Sequence, residues 1–148
     1  MNAKSLHPYI AVKGGADAIE FYRRAFGAEE KFRLIDPVDG RIGHAELSIG
    51  GVIVMLSDEY PDFGALSPES VGGSPVKFHI YVEDADAAVA DAIALGATEL
   101  RPVEDQFYGD RSGMIMDPFG HSWMIAAQKD DVSPDQMQER WNAGMGST

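Results

Sequence analysis

The chain has 148 residues, 45% hydrophobic and 24% charged, which is the size and composition of one soluble globular domain. Cysteine is absent, which excludes disulfides, thiolate metal sites and a cysteine nucleophile. The formal net charge of -12 disfavours a phosphate backbone, so nucleic acid is not an expected partner. The longest aliphatic run, Val52 to Leu56, is too short to cross a membrane, and the sequence predicts a cytoplasmic protein without a membrane partner.

The first half of the chain predicts a strand, a helix and three further strands. His7–Val12 alternates between apolar and other residues, as a strand does. Asp17 to Phe26 carries apolar residues at helical spacing, and Gly27 is expected to end that helix. Three more strands are predicted at Lys31–Ile35, Ile42–Ile49 and Val52–Ser57.

The second half repeats this order of elements about 70 positions later. After a strand at Lys77–Val82, Asp84 or Asp86 is expected to cap a helix that runs to Leu95. Strands are predicted near Thr98–Arg101, Met114–Met116 and His121–Ala127. Tyr60–Ser74, rich in Pro, Gly and Ser, is typical of a linker. A helix capped by Ser133 should reach about Trp141.

These elements predict an α+β fold built from two tandem βαβββ modules in a single domain, residues 1–148. Module one covers about residues 5–59, the linker 60–74, module two 75–128 and a C-terminal helix 133–142. Each module is expected to form a curved sheet with its helix on the outer face. The concave faces of the two sheets would then form a cup.

Strand alternation predicts which side chains enter this cup. In the first strand Ile10 and Val12 would face the helix, and the residues between them would face the concave side. A shift of one residue would reverse the assignment. The predicted ligand-binding residues are His7, Tyr9, His44, Met55, Lys77, His79, Tyr108, Arg111 and Met124, with Glu46 as the candidate catalytic residue.

Two of these residues admit two roles each. Glu46 is the candidate general acid or base, because an apolar cup favours its protonated form; alternatively it is a structural carboxylate. Arg111 would hold a carboxylate, phosphate or carbonyl at the mouth of the cup. Alternatively, Arg111 pairs with Asp110 or Glu104 and fixes the loop.

His44 and Glu46 lie two residues apart on one strand face. Together with His7 or His79 they would supply the two imidazoles and one carboxylate of a divalent metal site. The alternative is that they are hydrogen-bonded neighbours without a metal.

Several stretches resemble the vicinal oxygen chelate superfamily, which includes glyoxalase I, bleomycin-resistance and fosfomycin-resistance proteins and extradiol dioxygenases. They are Ala18-Ile19-Glu20-Phe21-Tyr22, Phe26-Gly27 and Asp117-Pro118-Phe119-Gly120, and the likeness covers about residues 5–128. It is strongest to the small bacterial glyoxalase-like branch. The resemblance implies the two-module fold and a homodimer, because family members complete their cups by pairing modules within or between chains.

The family's four metal-ligand positions fall on His7, Met55, Lys77 and Met124. Only His7 is a usable ligand for a hard divalent ion. The sequence therefore predicts no metal at the family's usual place and no glyoxalase I chemistry.

Two functions are compatible with the sequence. The first is a small-molecule-binding protein without a cofactor, acting in ligand sequestration. The second is a lyase, isomerase or dioxygenase-type enzyme that acts on a small oxygenated metabolite, with Glu46 as acid or base. The sign of charge that the ligand carries is left open.

Overall fold

The computed structural model describes residues 1–145, so the last three residues of the predicted domain lie outside the described part. Module one contains β1 (Tyr9–Val12), α1 (Gly15–Phe26), β2 (Glu29–Ile35), β3 (Ile42–Ile49) and β4 (Val52–Asp58). The linker contains a 3-10 turn (Pro61–Phe63) and α2 (Pro68–Val71). Module two contains β5 (Lys77–Tyr81), α3 (Ala85–Ala94), β6 (Thr98–Asp105), β7 (Asp110–Met116) and β8 (Ser122–Gln128), and α4 (Pro134–Met145) follows.

Each module forms one four-stranded mixed sheet, and the two sheets have the same order, β1-β4-β3-β2 and β5-β8-β7-β6. The first strand of each module is parallel to the last, and the other pairs are antiparallel. Both sheets are open. The predicted α+β fold of two βαβββ modules is therefore confirmed. The linker also contains the 3-10 turn and α2, which the sequence did not predict.

β6 and β7 are several residues longer than predicted. β6 is an edge strand with mostly exposed side chains and includes Pro102, so its sequence lacks the alternation that marks a half-buried strand. β7 begins at Asp110, within a polar stretch that was expected to be a loop. The added residues of both strands pair with each other across the sheet, and no apolar alternation in the sequence marks them.

The predicted faces of β1 and β3 are confirmed. In β3, Ala45 and Leu47 are buried, while His44 and Glu46 are partly exposed on the other face. In β1, Ile10 and Val12 are buried and Tyr9 is half exposed. Helix α1 covers the buried face of the first sheet, so the polar candidates lie on the face away from the helix.

One hydrophobic core joins the modules. Tyr22 and Phe26 of α1 contact the indole of Trp123 on β8, with ring centroids 5.5 and 4.5 Å apart. Phe21 meets Phe119 edge to face at 6.3 Å. Trp123 is buried, with 3% of the residue exposed, and α1 packs against both modules.

A buried carboxylate lies at the centre of this junction. Asp117 accepts hydrogen bonds from the Tyr22 hydroxyl at 2.6 Å and from Trp123 Nε1 at 2.9 Å. It also accepts from the backbone N–H groups of Phe119 and His121. We call Asp117, Tyr22 and Trp123 the junction cluster; it connects the Phe21-Tyr22 stretch of module one with the Asp117–Gly120 turn of module two.

The junction cluster predicts a loss of stability at alkaline pH. Burial, together with the adjacent Asp117 carboxylate, raises the pKa of Tyr22 well above its usual value. The unfolded chain therefore releases this proton above about pH 10 while the folded chain keeps it, so the free energy of unfolding should fall as pH rises beyond that point. Chemical denaturation between pH 8 and 11, read by tryptophan fluorescence, measures how the free energy of unfolding changes with pH. In Tyr22→Phe the free energy of unfolding should fall less over this range. An equal fall in Tyr22→Phe and the wild type would contradict this assignment.

A second buried carboxylate caps α1. The residue before this helix is Gly14, which has no side chain to cap it. Asp58, at the end of β4, instead accepts from the N–H groups of Gly14 at 3.0 Å, Gly15 at 2.7 Å and Ile42 at 2.7 Å. The Gly14-Gly15 pair therefore has a structural role, since a Cβ on Gly15 would lie 2.9 Å from Asp58 Oδ2.

Helix α4 begins at the predicted cap. The Ser133 hydroxyl accepts from the Gln136 N–H, and Gln136 Oε1 accepts from the Ser133 N–H. Trp141 packs against Phe107 at 5.5 Å, which holds α4 to the loop before β7. None of the helices in residues 1–145 has both the length and the apolar character needed to span a bilayer.

Candidate functional site

Three predicted site residues form a hydrogen-bonded chain on the open face of the first sheet. The Tyr9 hydroxyl lies 2.8 Å from His44 Nδ1, and His44 Nε2 lies 2.9 Å from Glu46 Oε2. Sheet register explains the contact, because Tyr9 and Glu46 both pair with Met55 on β4 from opposite sides. We call Tyr9, His44 and Glu46 the relay.

Beside the relay lies a groove of about 720 Å³ on the same face, which we call the module-one groove. Its wall is mostly apolar and comes from β1, β2, β3, β4, the β2–β3 turn and the linker. The lining residues are Tyr9, Leu34, Ile35, Asp36, Pro37, Gly43, Ser57, Tyr60, Phe63 and Ala65. A groove of this size can hold a drug-sized molecule.

The linker forms one side of the groove and is held to the β2–β3 turn. The Tyr60 hydroxyl donates to Asp36 Oδ2 at 3.0 Å, and the Arg41 guanidinium lies 3.9 Å above the Tyr60 ring. The hydrogen bonds from the Val38 N–H and from Tyr60 lower the pKa of Asp36, so its carboxylate stays charged at neutral pH. Arg41 Nη2 lies 4.0 Å from Asp36 Oδ2, so this carboxylate is paired with a guanidinium.

Ser57 contributes a hydroxyl to the groove wall. Only 3% of the residue is exposed, and it lies on β4 opposite Ala11 of β1. Within residues 1–145 its hydroxyl has no hydrogen-bond partner, and it lines the groove. Since no fully buried side-chain N or O atom in this part of the chain lacks a partner, the Ser57 oxygen is open to the groove, where it can hydrogen-bond a ligand.

The candidates of module two surround different cavities. The Tyr108 hydroxyl lies 3.4 Å from Ser112 Oγ and 3.8 Å from Met124 Sδ, around a small cavity of about 30 Å³. His79 contacts the Tyr81 ring at 4.8 Å and lines a third groove with Val52 and Val54 of module one. Lys77 is exposed at the start of β5.

The expectation of one cup holding the candidates of both modules therefore needs correction. Tyr9 lines a groove built from module one and the linker, while Tyr108 and Met124 line one built from module two. The reason is that alternation fixes the face of a strand but not how two sheets are placed relative to each other. Of the predicted set, the structure links Tyr9, His44 and Glu46 directly.

Arg111 is also placed differently from the expectation. Its guanidinium makes a two-point contact with Asp86 of α3, at 2.7 and 3.0 Å, and a third contact with Asp105 at 3.1 Å. The hydrogen bonds with Asp86 are the main reason that the pKa of Arg111 is raised. Arg111 pairs in register with Ala127, so it lies on the helix face rather than in the cup, and its partners are neither Asp110 nor Glu104.

The donor set at the family's metal positions does not fit a hard divalent ion. Met55 and Met124 carry thioethers, Lys77 carries an ammonium group, and His7 Nδ1 lies 3.1 Å from the Ile53 carbonyl oxygen. Within residues 1–145 no group of three or more His, Asp or Glu side chains is placed so that it could hold a metal ion. His44 and Glu46 are hydrogen-bonded neighbours, as the alternative interpretation expected.

The fold, the repeated module and the open-faced groove define a glyoxalase-type protein. The family model of the Glyoxalase/Bleomycin resistance protein/Dioxygenase superfamily matches residues 4–125, and the chain belongs to that superfamily. The predicted resemblance is confirmed.

Individual relatives agree with this assignment. An uncharacterized protein of Mycobacterium bovis is 42% identical over 137 residues, which cover 90% of each chain. The crystal structure of an Arabidopsis thaliana gene product is similar, with a TM-score of 0.68 and 29% identity over 84% of this chain and 99% of that one. TioX from Micromonospora has a TM-score of 0.63 and 26% identity over 85% of this chain and 99% of that one.

Sequence reasoning missed Ser57, Asp36 and Tyr60 as parts of the groove. Ser57 follows the apolar run of β4, and its face could have been read from alternation. Tyr60 and Phe63 lie in the segment expected to be only a linker. Nothing local indicates that this segment folds back against β2 and β3.

Proposed function

We propose that the protein binds a small, mainly apolar molecule in the module-one groove and acts as a binding or sequestration protein. The observation that carries the proposal is the groove itself, with aromatic side chains from Tyr9, Tyr60 and Phe63 beside the unpartnered hydroxyl of Ser57. Aromatic walls with a few polar groups are typical of ligand sites. A cytoplasmic location and a homodimer stay predictions from the sequence.

The groove wall favours a neutral ligand, because its carboxylate, Asp36, is paired with Arg41. Asp36 supplies a carboxylate to the wall, whereas Lys77 and Arg111, the candidate anion-binding groups, lie outside it. The net charge of -12 acts in the same direction. The proposal is therefore for a ligand without a negative charge.

Binding can be tested with environment-sensitive fluorescent probes, neutral Nile red and anionic anilinonaphthalene sulfonate. The wild-type protein should bind Nile red in preference. Leu34→Asp, which places a charge on the apolar wall, should weaken binding of Nile red by about tenfold or more. The measurement is a fluorescence titration, supported by the ligand-dependent rise in melting temperature.

A matched control is available in module two. Leu100 is an exposed leucine on the edge strand β6, as Leu34 is on β2, but it does not line the groove. Leu100→Asp and Arg111→Ala should leave Nile red binding unchanged. Equal losses in Leu34→Asp and Leu100→Asp, or preference for the anionic probe, would overturn the proposal.

A further inference from the structure

We infer that the module-one groove carries a general base, the phenolic oxygen of Tyr9, which removes a proton from a neutral, mainly apolar molecule. The inference rests on the proposed function, because the substrate must first occupy the groove. It replaces Glu46 with Tyr9 as the group that touches the substrate, and it makes His44 and Glu46 positioning residues.

The geometry of the relay selects Tyr9. Both ring nitrogens of His44 are engaged, one by Tyr9 and the other by Glu46, so the imidazole has no free nitrogen for a ligand. Glu46 does not belong to the groove wall, whereas Tyr9 does. When His44 Nε2–H donates to Glu46, Nδ1 accepts the hydrogen bond from the Tyr9 hydroxyl, and the lone pairs of the Tyr9 oxygen are left to accept a proton.

The relay provides an acceptor for each proton that moves during the reaction. A C–H proton of the substrate passes to the Tyr9 oxygen while the Tyr9 proton passes to His44 Nδ1. The resulting imidazolium lies between Tyr9 and the Glu46 carboxylate, which stabilises its positive charge. The C–H electron pair stays on the substrate, and reversal of the relay afterwards returns the proton to Tyr9, which releases its extra proton to product or water.

The reaction also needs a hydrogen-bond donor that stabilises the negative charge on the substrate, and the Ser57 hydroxyl supplies it. This hydroxyl opens onto the same groove as Tyr9 and has no hydrogen-bond partner within residues 1–145. A preoriented donor in an apolar site stabilises such charge more than water does. The substrate class is therefore a neutral, mainly apolar molecule whose acidic C–H is adjacent to a group that can take the charge on oxygen.

A nitro-substituted benzisoxazole is a suitable probe, being flat, neutral and mainly apolar. Loss of its ring C–H proton to Tyr9 turns the C–H electron pair into the third bond of a nitrile. The N–O bond breaks, and its electron pair leaves on oxygen as a coloured phenolate, so no oxidant or reductant is needed. The wild-type protein should form this product about 100-fold faster than Tyr9→Phe, which absorbance measures directly.

Three further variants separate the roles. Tyr81→Phe removes a hydroxyl that donates to the Asp110 carboxylate outside the groove, and it should keep the wild-type rate. Ser57→Ala should lower kcat by about tenfold. Glu46→Gln should lower kcat without raising KM or lowering the melting temperature, whereas a merely structural role would change KM or stability.

The outcomes distinguish the inference from the proposed function. If wild type binds Nile red but forms no product above the buffer rate, or if Tyr9→Phe keeps the full rate, the inference is overturned and the binding function stands. If no neutral probe binds, the proposed function falls and the inference falls with it. Loss of activity in Tyr9→Phe with unchanged Nile red binding supports both.

Discussion

Replacing Asp117 with alanine should destabilise the protein by at least about 3 kcal/mol, a large part of the stability of a domain this size. The carboxylate accepts four hydrogen bonds in the core. Its removal leaves the Tyr22 hydroxyl and the indole N–H of Trp123 buried without acceptors. Urea denaturation, read by tryptophan fluorescence and by circular dichroism, measures the shift of the midpoint.

A matched pair of tyrosines tests whether burial causes this effect. Tyr22 and Tyr81 each donate to a carboxylate at 2.6 Å, but Tyr22 is 0% exposed and Tyr81 is 61% exposed. Tyr22→Phe should cost about 1–2 kcal/mol, and Tyr81→Phe no more than about 0.5 kcal/mol. Equal costs for the two variants, or an Asp117→Ala protein as stable as wild type, would show that the junction cluster does not hold the modules together.

Replacing Asp58 with alanine should cost about 2–4 kcal/mol, because three backbone N–H groups lose their acceptor. Two of them lie at the start of α1, where the helix dipole also favours a negative charge. Asp58→Asn should cost less, since its amide oxygen can still accept from part of this set. The same urea denaturation gives the free energies.

Asp84 provides the control for Asp58. It caps α3 from the adjacent position, accepting one N–H, that of Ala87, at 3.1 Å on the exposed surface. Asp84→Ala should therefore cost only about 1 kcal/mol. If Asp58→Ala cost no more than Asp84→Ala, the remote cap would contribute no more than an ordinary local one.

The motifs that carry the family resemblance contribute mainly to folding. Tyr22 and Phe21 of the first motif contact Asp117 and Phe119 of the second, so the two stretches are matched parts of one junction. They identify the superfamily but say little about the ligand, which contacts other residues in the proposed site. The relay and Ser57 lie on the opposite face of the first sheet.

Local pattern alone was sufficient for most of the fold. Alternation in β1 and β3 predicted the buried face correctly, because side chains of a strand point to opposite faces in turn. The same pattern predicted that Tyr9, His44 and Glu46 share a face. Their hydrogen bonds follow from the pairing of β1 and β3 with β4.

The amino-acid sequence by itself determined the repeated modules, the faces of the strands and the superfamily, since each depends on residues close together in the chain. The tertiary structure decided which candidates meet. It separated Tyr9 from Tyr108 and Met124, placed Arg111 against Asp86 on α3, and brought Tyr60 and Phe63 of the linker to the groove. These contacts depend on how sheets and loops pack across long stretches of chain, and periodicity within one element carries no information about that packing.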